Sequence, residues 1–571
     1  MAKKVSSPSV VVPAQPRQSV QARFPNGETF EAPLGTRLEA FVRACSLGQS
    51  SPIVAALVNG QLRELTYAMK ADAEIVPITM ATGDGKRIYQ RSLSFLLVTA
   101  ARELFPEAKI ILDHVLPFNG FYCEVEGRVG FSPKELERLE KRMREIVKAD
   151  EAITKQRVPL DEAKRLFEWQ RDEDKVHLLA YRPKNYMTIY TLRGTHDYFY
   201  GYMVPSTGYL QTFHLRHYPP GFVLQFPRRH TPQKLPAFRD SPRLAIVFRQ
   251  HAAWLRLMDV QNVAALNRAI EGERIGQVVM VAEALHEQNV AEIAKQIAAR
   301  RGQVRFVLIA GPSSSGKTTF SKRLSIQLLT YGLRPMAIAL DDYFVERHLT
   351  PRTPSGDYDF ESLQALDLKL LNEQLLLLLE GKPVHLPRFS FHTGQREWGD
   401  KVSISPDHIL LLEGIHGLNP HLLPALPGQA VFRVYISALT QLNIDHHNRV
   451  STSDTRLLRR IVRDARSRGY SAQETIQRWE AVRHGENESI FPYQEHADVM
   501  FNSALIYELA VLKPFAEPLL RQVGPGCLEY IEAGRLLAFL EWFLTCPPSW
   551  VPGNSLLREF IGDSVVEELV L

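Results

Sequence analysis

One short stretch of this sequence constrains the fold more than any other, because an apolar run, a small-residue loop and a helical pattern follow one another directly. Phe306 to Ala310 (FVLIA) has the pattern of a buried strand, GPSSSGKTT occupies residues 311 to 319, and a helical pattern runs from Phe320 to Thr330. Backbone N–H groups in such a loop converge on phosphate oxygens, and the following helix amino terminus favours negative charge. The sequence therefore predicts a phosphate-binding loop in the strand–loop–helix context that it requires.

The side chains of this loop have separate expected roles. Lys317 can reach the β- and γ-phosphates of a nucleotide, and the Thr318 hydroxyl can ligate magnesium. ATP and Mg2+ are therefore the expected cofactors. The residues expected to bind the nucleotide are Gly311, Ser313, Ser314, Ser315, Gly316, Lys317, Thr318 and Thr319.

Two further predicted strands end in carboxylates. Met336 to Leu340 precedes Asp341 and Asp342, and His408 to Leu412 precedes Glu413. Doubly wound sheets bind their ligands at the carboxyl ends of the strands. An aspartate there can accept the proton of an attacking hydroxyl, or it can cap the next turn. Glu413 is suited to holding magnesium through water, or it can be structural.

An arginine-dense stretch with a helical pattern lies between residues 449 and 468. Arginines that converge on a transferring phosphate stabilise its charge, whereas arginines that face outward form a solvated surface. We expect about half of them to act in catalysis or ATP binding and the rest to lie on the surface. They are Arg449, Arg456, Arg459, Arg460, Arg463, Arg466 and Arg468.

The length requires several folded units. At 571 residues the chain exceeds the usual domain length of roughly 100 to 200 residues, so we expect at least three units. No apolar run approaches the ~20 residues of a membrane helix, the amino terminus lacks a secretory signal, and the four cysteines form no CxxC pair. We interpret the chain as cytoplasmic, with reduced thiols and no membrane span. A net charge of +5 does not by itself indicate nucleic-acid binding.

Local patterns divide the chain into six segments. Residues 1–18 have the composition of a disordered tail, and residues 19–82 combine turn signals and one helix, near Leu38 to Ala44, in an α+β module. The second unit has a helical pattern at Leu93 to Leu104 and a capping box at Ser132 and Glu135. This second unit spans residues 83–230. It is followed by a helical connector at 231–300, the phosphate-binding domain at 301–515 and a helical segment at 516–571.

In this order, GPSSSGKTT, LDDYF, YDFESLQALD, LLLEGIHGL and DTRLLRRIVRDARSRG resemble the uridine kinase and phosphoribulokinase family over about residues 303 to 515. The resemblance implies a P-loop ATP-dependent kinase with a mainly parallel sheet and makes Asp341 the catalytic base. It also implies a ribose-binding carboxylate at Glu361. The family's lid arginines correspond to Arg460, Arg463 and Arg468. Arg460 is an expected acceptor contact. Arg463 and Arg468 are expected to be catalytic, as are Lys317 and Asp341.

The sequence departs from this family where the acceptor would bind. The family's tyrosine and histidine that contact the pyrimidine align with Phe389 and Gly394, and two polar lid positions align with Tyr470 and Arg478. His392 lies close enough to substitute in part. A site built to hydrogen-bond its substrate loses much discrimination without those groups, which favours a changed or relaxed acceptor. The expected acceptor contacts are Asp341, Glu361, Phe389, His392, Arg460 and Tyr470.

The amino-terminal half resembles the first two domains of threonyl-tRNA synthetase. Residues 19–82 resemble its β-grasp-like TGS domain, and LFPEAKIILDHVLPFNGFYCEVEG with LERLEKRMREI resembles its editing domain. The editing HxxxH pair corresponds to Arg91 and Phe95, and the later CRGPH segment reads LRGTH, which leaves His196 alone. A lone histidine is more often structural than a ligand or catalyst, so we expect neither editing activity nor zinc. The whole domain order resembles a bacterial type of TGS-bearing uridine kinase-like protein.

Three functions remain open from the sequence. The first is phosphorylation of a nucleoside such as uridine or cytidine, and the second is phosphorylation of another nucleoside or a polyol phosphate. The third is an RNA- or nucleotide-responsive binding protein, in which the synthetase-like half senses tRNA or another RNA and ATP acts as a switch. Lys and Arg clusters at residues 134–146 and 228–229 permit RNA binding but are equally typical of solvated surface. The carboxyl-terminal segment is expected to pack on its own chain or to form a homo-oligomer.

Overall fold

The computed structural model describes residues 16–45, 51–352, 356, 358–390, 393–440, 442–567 and 569. The predicted disordered tail, except for residues 16–18, lies outside the described residues, and so does the expected acceptor contact His392. Within the described ranges, none of the helices has both the length and the apolar content needed to cross a membrane.

The first module is a five-stranded sheet with one helix. Its elements are β1 (Ser19–Arg23), β2 (Thr29–Pro33), α1 (Leu38–Ala44), β3 (Ile53–Val58), β4 (Gln61–Glu64) and β5 (Ala73–Thr79). The strand order is β2-β1-β5-β3-β4, in which β1 and β5 run parallel. Helix α1 has the predicted bounds and buries Leu38, Phe41 and Val42 in the core of this module.

The second unit places helices against two small antiparallel sheets. Its elements are α2 (Gly83–Leu104), β6 (Lys109–Leu116), β7 (Gly120–Glu126), α3 (Pro133–Ala149), β8 (Thr154–Pro159), α4 (Leu160–Gln170), α5 (Glu173–Leu179), β9 (Tyr186–Leu192), β10 (Thr195–Asp197), β11 (His214–Tyr218) and β12 (Gly221–Gln225). The predicted capping box at Ser132 and Glu135 is present. Helix α2 begins ten residues before the predicted Leu93, because the Thr82 side chain caps a polar first turn that lacks apolar periodicity.

Three helices connect this unit to the next: α6 (Pro242–Leu257), α7 (Val263–Glu271) and α8 (Ile275–Ala298). The following domain contains β13 (Phe306–Ala310), α9 (Lys317–Thr330), β14 (Arg334–Ala339), α10 (Leu368–Leu379), β15 (Val384–Ser390), β16 (Gln395–Val402), β17 (His408–Glu413), β18 (Val431–Ser437), α11 (Thr452–Ser467), α12 (Ala472–Ser489), β19 (Val499–Asn502) and α13 (Glu508–Arg521).

The sheet of this domain is parallel throughout and has the strand order β14-β17-β13-β18-β19. Strand β13 is fully buried at its centre, as expected for a parallel strand covered on both faces. All five strands end at one edge, and the loops that follow β13, β14 and β17 meet there. The chain thus has the predicted multidomain α/β and α+β fold, with a P-loop domain built on a parallel sheet.

The carboxyl-terminal segment packs on its own chain. It contains α14 (Glu529–Leu540) and α15 (Arg558–Ile561). Helix α14 lies against α12 and α13, and α15 lies against α11. The helical run of the sequence at Leu536 to Leu544 predicts a helix there, but the helix starts at Glu529 and ends at Leu540.

A buried charge cluster joins the second unit to the P-loop domain. The Lys175 ammonium lies 3.2 Å from Asp197 Oδ1 and 3.8 Å from Asp445 Oδ1, and all three side chains are almost wholly buried. His447 Nδ1 lies 2.6 Å from Asp197 Oδ2. Because Lys175 and Asp197 come from the second unit and Asp445 and His447 from the P-loop domain, the two units share one polar interior.

Candidate nucleotide-binding and phosphoryl-transfer site

The loop between β13 and α9 has the geometry of an anion cradle. Ser314 and Gly316 both have positive φ, 58° and 84°, which turns the chain tightly before α9 starts at Lys317. A side chain at position 316 would be strained, so glycine is required there. The Ser314 and Ser315 hydroxyls are buried and have no hydrogen-bond partner within the described part of the chain. The loop therefore offers polar groups that a phosphate can satisfy.

The next strand of the sheet brings a carboxylate to this loop. Glu413 stands at the end of β17, and its Oε1 accepts a hydrogen bond from the Thr318 hydroxyl at 3.1 Å. A hydroxyl and a carboxylate oxygen side by side fit Mg2+, which usually adds substrate phosphates to one or two protein ligands. Among the described residues no three His, Cys, Asp or Glu side chains cluster as a metal site. The pair Thr318 and Glu413 thus fits a magnesium ion that arrives with a nucleotide.

The two aspartates after β14 have different surroundings. Both lie in a 3-10 turn at Leu340–Tyr343. Asp342 Oδ1 accepts the Phe389 N–H at 3.3 Å and so ties the turn to β15. Burial raises the pKa of Asp341, and the charges of Lys317 and Arg468 oppose that rise. The charges of Lys317 and Arg468 therefore act on Asp341, whereas Arg388 is the cation that acts on Asp342.

Glu361 belongs to the same group of charges. Burial, together with the charges of Glu486 and Asp341, raises its pKa to about 7, although Arg460 and Lys317 oppose the rise. Gly485 of α12 packs so closely on this side chain that a Cβ at position 485 would lie 2.4 Å from Glu361 Cβ. The sheet edge thus places Glu361, the expected ribose carboxylate, near the expected base.

These carboxyl groups make stability depend on pH in a defined direction. The pKa of Glu361 is about 7 in the folded chain and 4.5 for a free side chain, so folding favours its protonated form. The stabilisation is complete below pH 4.5 and is lost as pH rises towards 7. We therefore expect Glu361→Gln to exceed the wild type in free energy of unfolding at pH 8, by up to about 3 kcal/mol. Denaturant titrations at pH 5 and pH 8 measure this difference.

The matched control for that experiment is Glu397→Gln, which neutralises an exposed glutamate on β16. It should change stability little at either pH. An advantage of Glu361→Gln that is the same at pH 5 and pH 8 would contradict the assignment.

Two arginines expected on the surface are instead buried. Arg456 and Arg459 both have no exposed surface, which corrects that expectation. Arg456 donates two hydrogen bonds to the Glu486 carboxylate, at 2.5 and 2.8 Å, and Arg459 pairs with Glu508. Arg449, just before α11, is also largely buried and donates to its neighbour's carbonyl. A buried guanidinium is tolerated because a carboxylate or carbonyl compensates it.

The pair of Arg456 and Glu486 holds the phosphate-binding loop. Glu486 Oε1 accepts the Ser313 N–H at 3.0 Å, and Arg456 donates to the Ser313 carbonyl at 3.1 Å. One ion pair therefore fixes both backbone groups of a single loop residue. Sequence analysis missed Glu486, which lies 30 positions from Arg456 and shows no local signal.

Glu486→Gln is expected to lower the free energy of unfolding by about 3 kcal/mol. The reason is that the buried Arg456 guanidinium would lose its counter-charge. Thermal and urea denaturation of the full chain measure the loss. Glu480→Gln is the control on the same helix, because its ion pair with Arg229 is exposed and should contribute at most about 1 kcal/mol. Equal losses of stability in the two variants would contradict the role of the Arg456–Glu486 pair in holding the loop.

The three lid arginines converge on one aspartate. Asp464 lies 3.2 Å from Arg460, 2.8 Å from Arg463 and 3.7 Å from Arg468, measured between carboxylate oxygens and guanidinium nitrogens. Arg460 also donates to the Ser313 hydroxyl at 2.9 Å, so this group reaches the loop. Asp464 holds the arginines beside the loop, and their roles in catalysis and acceptor binding stay predictions.

The positions at which the sequence departs from the family are apolar or internally paired. Phe389 is buried and stands edge-on to Phe344, with ring centroids 5.6 Å apart. Tyr470 is covered by the Arg478 guanidinium, 4.2 Å from its ring centroid. A Cβ at Gly394 would lie 2.8 Å from Arg347 Nε. Aromatic packing and a guanidinium thus replace the polar groups that contact a pyrimidine in the family.

Arg91, Phe95 and His196, which correspond to editing residues of the synthetase, make packing contacts and local hydrogen bonds. Arg91 donates to the Tyr202 carbonyl at 2.6 Å, and Phe95 packs edge-on against Phe199. His196 Nδ1 lies 2.9 Å from the Thr191 hydroxyl in the hairpin of β9 and β10. Each of the three residues thus contacts a neighbour within the second unit.

Different known proteins match the two halves of the chain. The phosphoribulokinase / uridine kinase family matches residues 306–507. Threonine–tRNA ligase of Polynucleobacter necessarius is 32% identical over 187 residues, which cover 33% of this chain and 29% of the ligase. The ligase of Cupriavidus necator is 31% identical over 193 residues, or 34% of this chain and 30% of that protein. The chain therefore spans under a third of these relatives.

A solved structure described as a possible uridine kinase, from Bacillus stearothermophilus, shares 24% identity with this chain. The match has a TM-score of 0.26 and covers 38% of this chain and 97% of that one. Residues 306–507 match the phosphoribulokinase / uridine kinase family, and the amino-terminal region is similar to threonine–tRNA ligases.

Proposed function

We propose that this protein transfers the γ-phosphate of ATP to a hydroxyl of a small molecule, with uridine or cytidine as the leading acceptor. The observation that carries the proposal is the convergence of three groups at one sheet edge. These are the loop lysine Lys317, the hydroxyl–carboxylate pair of Thr318 and Glu413, and the aspartate Asp341. A kinase needs a phosphate cradle, a metal site and a base at one point, and these groups supply all three.

In the proposed reaction Asp341 accepts the proton of the acceptor hydroxyl as its oxygen attacks the γ-phosphorus. The bond between the γ-phosphorus and the β–γ bridging oxygen breaks, and ADP leaves with the electron pair. Lys317, Arg463 and Arg468 offset the negative charge that spreads over the transferring group. Mg2+, when bound, would supply positive charge that neutralises part of the phosphate charge. Thr318 and Glu413 would hold it.

A phosphorylated polyol is the second candidate acceptor. It is favoured by the guanidinium of Arg347, which packs against Gly394 where a residue of the family contacts the pyrimidine. Guanidinium groups recognise phosphate better than they recognise an uncharged base. The apolar contact between Phe389 and Phe344 also offers a nucleobase few hydrogen bonds.

An acceptor panel tests both proposals. The purified full chain is incubated with ATP and Mg2+ and with nucleosides, polyols and polyol phosphates, and ADP formation and product mass are measured. We expect one class to stimulate ADP formation and to gain one phosphate. If no member is phosphorylated while tRNA binds with a steep salt dependence, the chain is an RNA-responsive binding protein instead.

A further inference from the structure

The carboxyl-terminal segment reaches across the P-loop domain to the phosphate-binding loop. Its residues Leu556, Leu557 and Phe560 have no exposed surface, and the Phe560 ring lies 5.0 Å from the Arg459 guanidinium. These contacts anchor α15 firmly against α11. The segment is therefore a fixed neighbour of the loop in this structure.

One side chain of this segment occupies groups that a nucleotide would use. Glu559 Oε2 accepts the Thr319 hydroxyl at 2.7 Å and the Thr319 N–H at 3.3 Å. Thr319 is in the first turn of α9, where backbone N–H groups have no partner within the helix. A carboxylate oxygen at that point has the charge and the hydrogen bonds of a phosphate oxygen. Glu559 thus mimics the ligand for which the loop is built.

Neighbouring contacts hold the backbone of the segment around Glu559 in place. Arg466 donates to the Glu559 carbonyl at 3.0 Å, which holds the backbone in place. Leu556 lies against the loop, since a Cβ on Gly316 would come 2.4 Å from Leu556 Cδ2. Rotation of the Glu559 side chain would release Thr319 without unpacking α15.

Charge explains why the carboxylate and a nucleotide phosphate exclude each other. The Glu559 carboxylate lies within hydrogen-bond distance of Thr319, in the first turn of α9. A polyphosphate would bring further negative charge to the same first turn. Two anions cannot both accept the Thr319 N–H, and their repulsion in a partly buried site is stronger than in water.

We propose that Glu559 is an internal competitor for nucleotide, which blocks the Thr319 end of the phosphate-binding loop until ATP displaces its side chain. This inference rests on the proposed nucleotide binding. It implies that the carboxyl-terminal segment sets nucleotide affinity. A purely structural hydrogen bond to Thr319 would have the opposite consequence, because its loss would loosen the loop and weaken binding.

The test is the affinity of the full chain for ADP with Mg2+, measured by titration calorimetry on the wild type, Glu559→Gln and Glu559→Ala. We expect both variants to bind ADP about tenfold more tightly, the change that 1.4 kcal/mol produces. Asp563→Asn is the matched control, since it removes the same charge from an exposed residue four positions away. Thermal melts without ligand verify that each variant is folded.

The outcomes separate this inference from the proposed function. Tighter binding in both Glu559 variants and unchanged binding in Asp563→Asn support the competitor. Unchanged or weaker binding in the Glu559 variants, with ADP bound normally by the wild type, overturns it and leaves the kinase proposal standing. If neither the wild type nor any variant binds ADP, nucleotide binding itself is refuted and both proposals fall.

Discussion

Lys317→Ala should lower phosphoryl transfer at least about 10³-fold. Lys317 is the loop cation expected to contact the β- and γ-phosphates, and its charge also opposes the rise in the pKa values of Asp341 and Glu413. Removing it would leave the transferring charge uncompensated and make the base harder to ionise. The rate of ADP formation with the best acceptor of the panel measures the effect.

Lys382→Ala is the control for this variant, because Lys382 is exposed and pairs with Glu380 far from the loop. It should retain wild-type turnover. The fold should survive Lys317→Ala, since among the described residues its ammonium makes one long hydrogen bond, of 3.4 Å, to Pro312 O. Unchanged turnover in folded Lys317→Ala would refute the kinase proposal.

Asp341→Asn should reduce the rate about 10²- to 10⁴-fold, the usual contribution of a general base. The asparagine keeps the shape of the side chain but cannot accept the proton. Burial raises the pKa of Asp341, so the wild-type rate should rise with pH through that pKa as the carboxylate forms. The variant should lose that limb of the pH–rate profile, which initial rates across a pH series would reveal.

The neighbouring aspartate supplies the comparison. Asp342→Asn keeps an oxygen that can accept the Phe389 N–H, so the turn and β15 should stay joined and the rate should change little. A larger loss in Asp342→Asn than in Asp341→Asn would transfer the role of base to Asp342.

Local patterns predicted those parts of the fold and site that neighbours in sequence determine. The strand before the loop and helix α9 follow from apolar runs and from the glycines between them. Asp341 and Glu413 follow from the rule that ligands gather where parallel strands end. In each of these cases the decisive residues lie within about ten positions of one another.

The missed features depend on partners that are distant in sequence. Glu486 lies 173 positions from Ser313, and Glu559 lies 240 positions from Thr319. About half of the seven arginines were expected on the surface, where arginine usually lies. Arg456 is buried instead, because the tertiary fold brings the Glu486 carboxylate to it. Seven arginines in one stretch signalled a functional region without telling buried supports from lid residues.

The acceptor is the part of the proposal that local sequence determines least. Phe389 and Gly394 show that the family's polar contacts are absent, but an absent donor does not name a new substrate. The groups that replace those contacts come together only in the tertiary structure. Phe344 and Arg347 follow β14, and Phe389 and Gly394 lie in the β15–β16 hairpin. The panel is therefore designed around charge, comparing neutral nucleosides with phosphorylated polyols.

The charge cluster around Lys175 has a consequence for how such a chain can change in evolution. Fused domains usually meet through small polar surfaces, and either partner can then be lost or exchanged. Here the Asp445 carboxylate of the P-loop domain lies 3.8 Å from the Lys175 ammonium of the ligase-like half, and both side chains are buried. Deletion of the ligase-like half would expose the apolar residues that both halves share in one core and would remove the Lys175 ammonium from Asp445. The P-loop domain therefore depends on the ligase-like half for part of its packing, whatever that half binds.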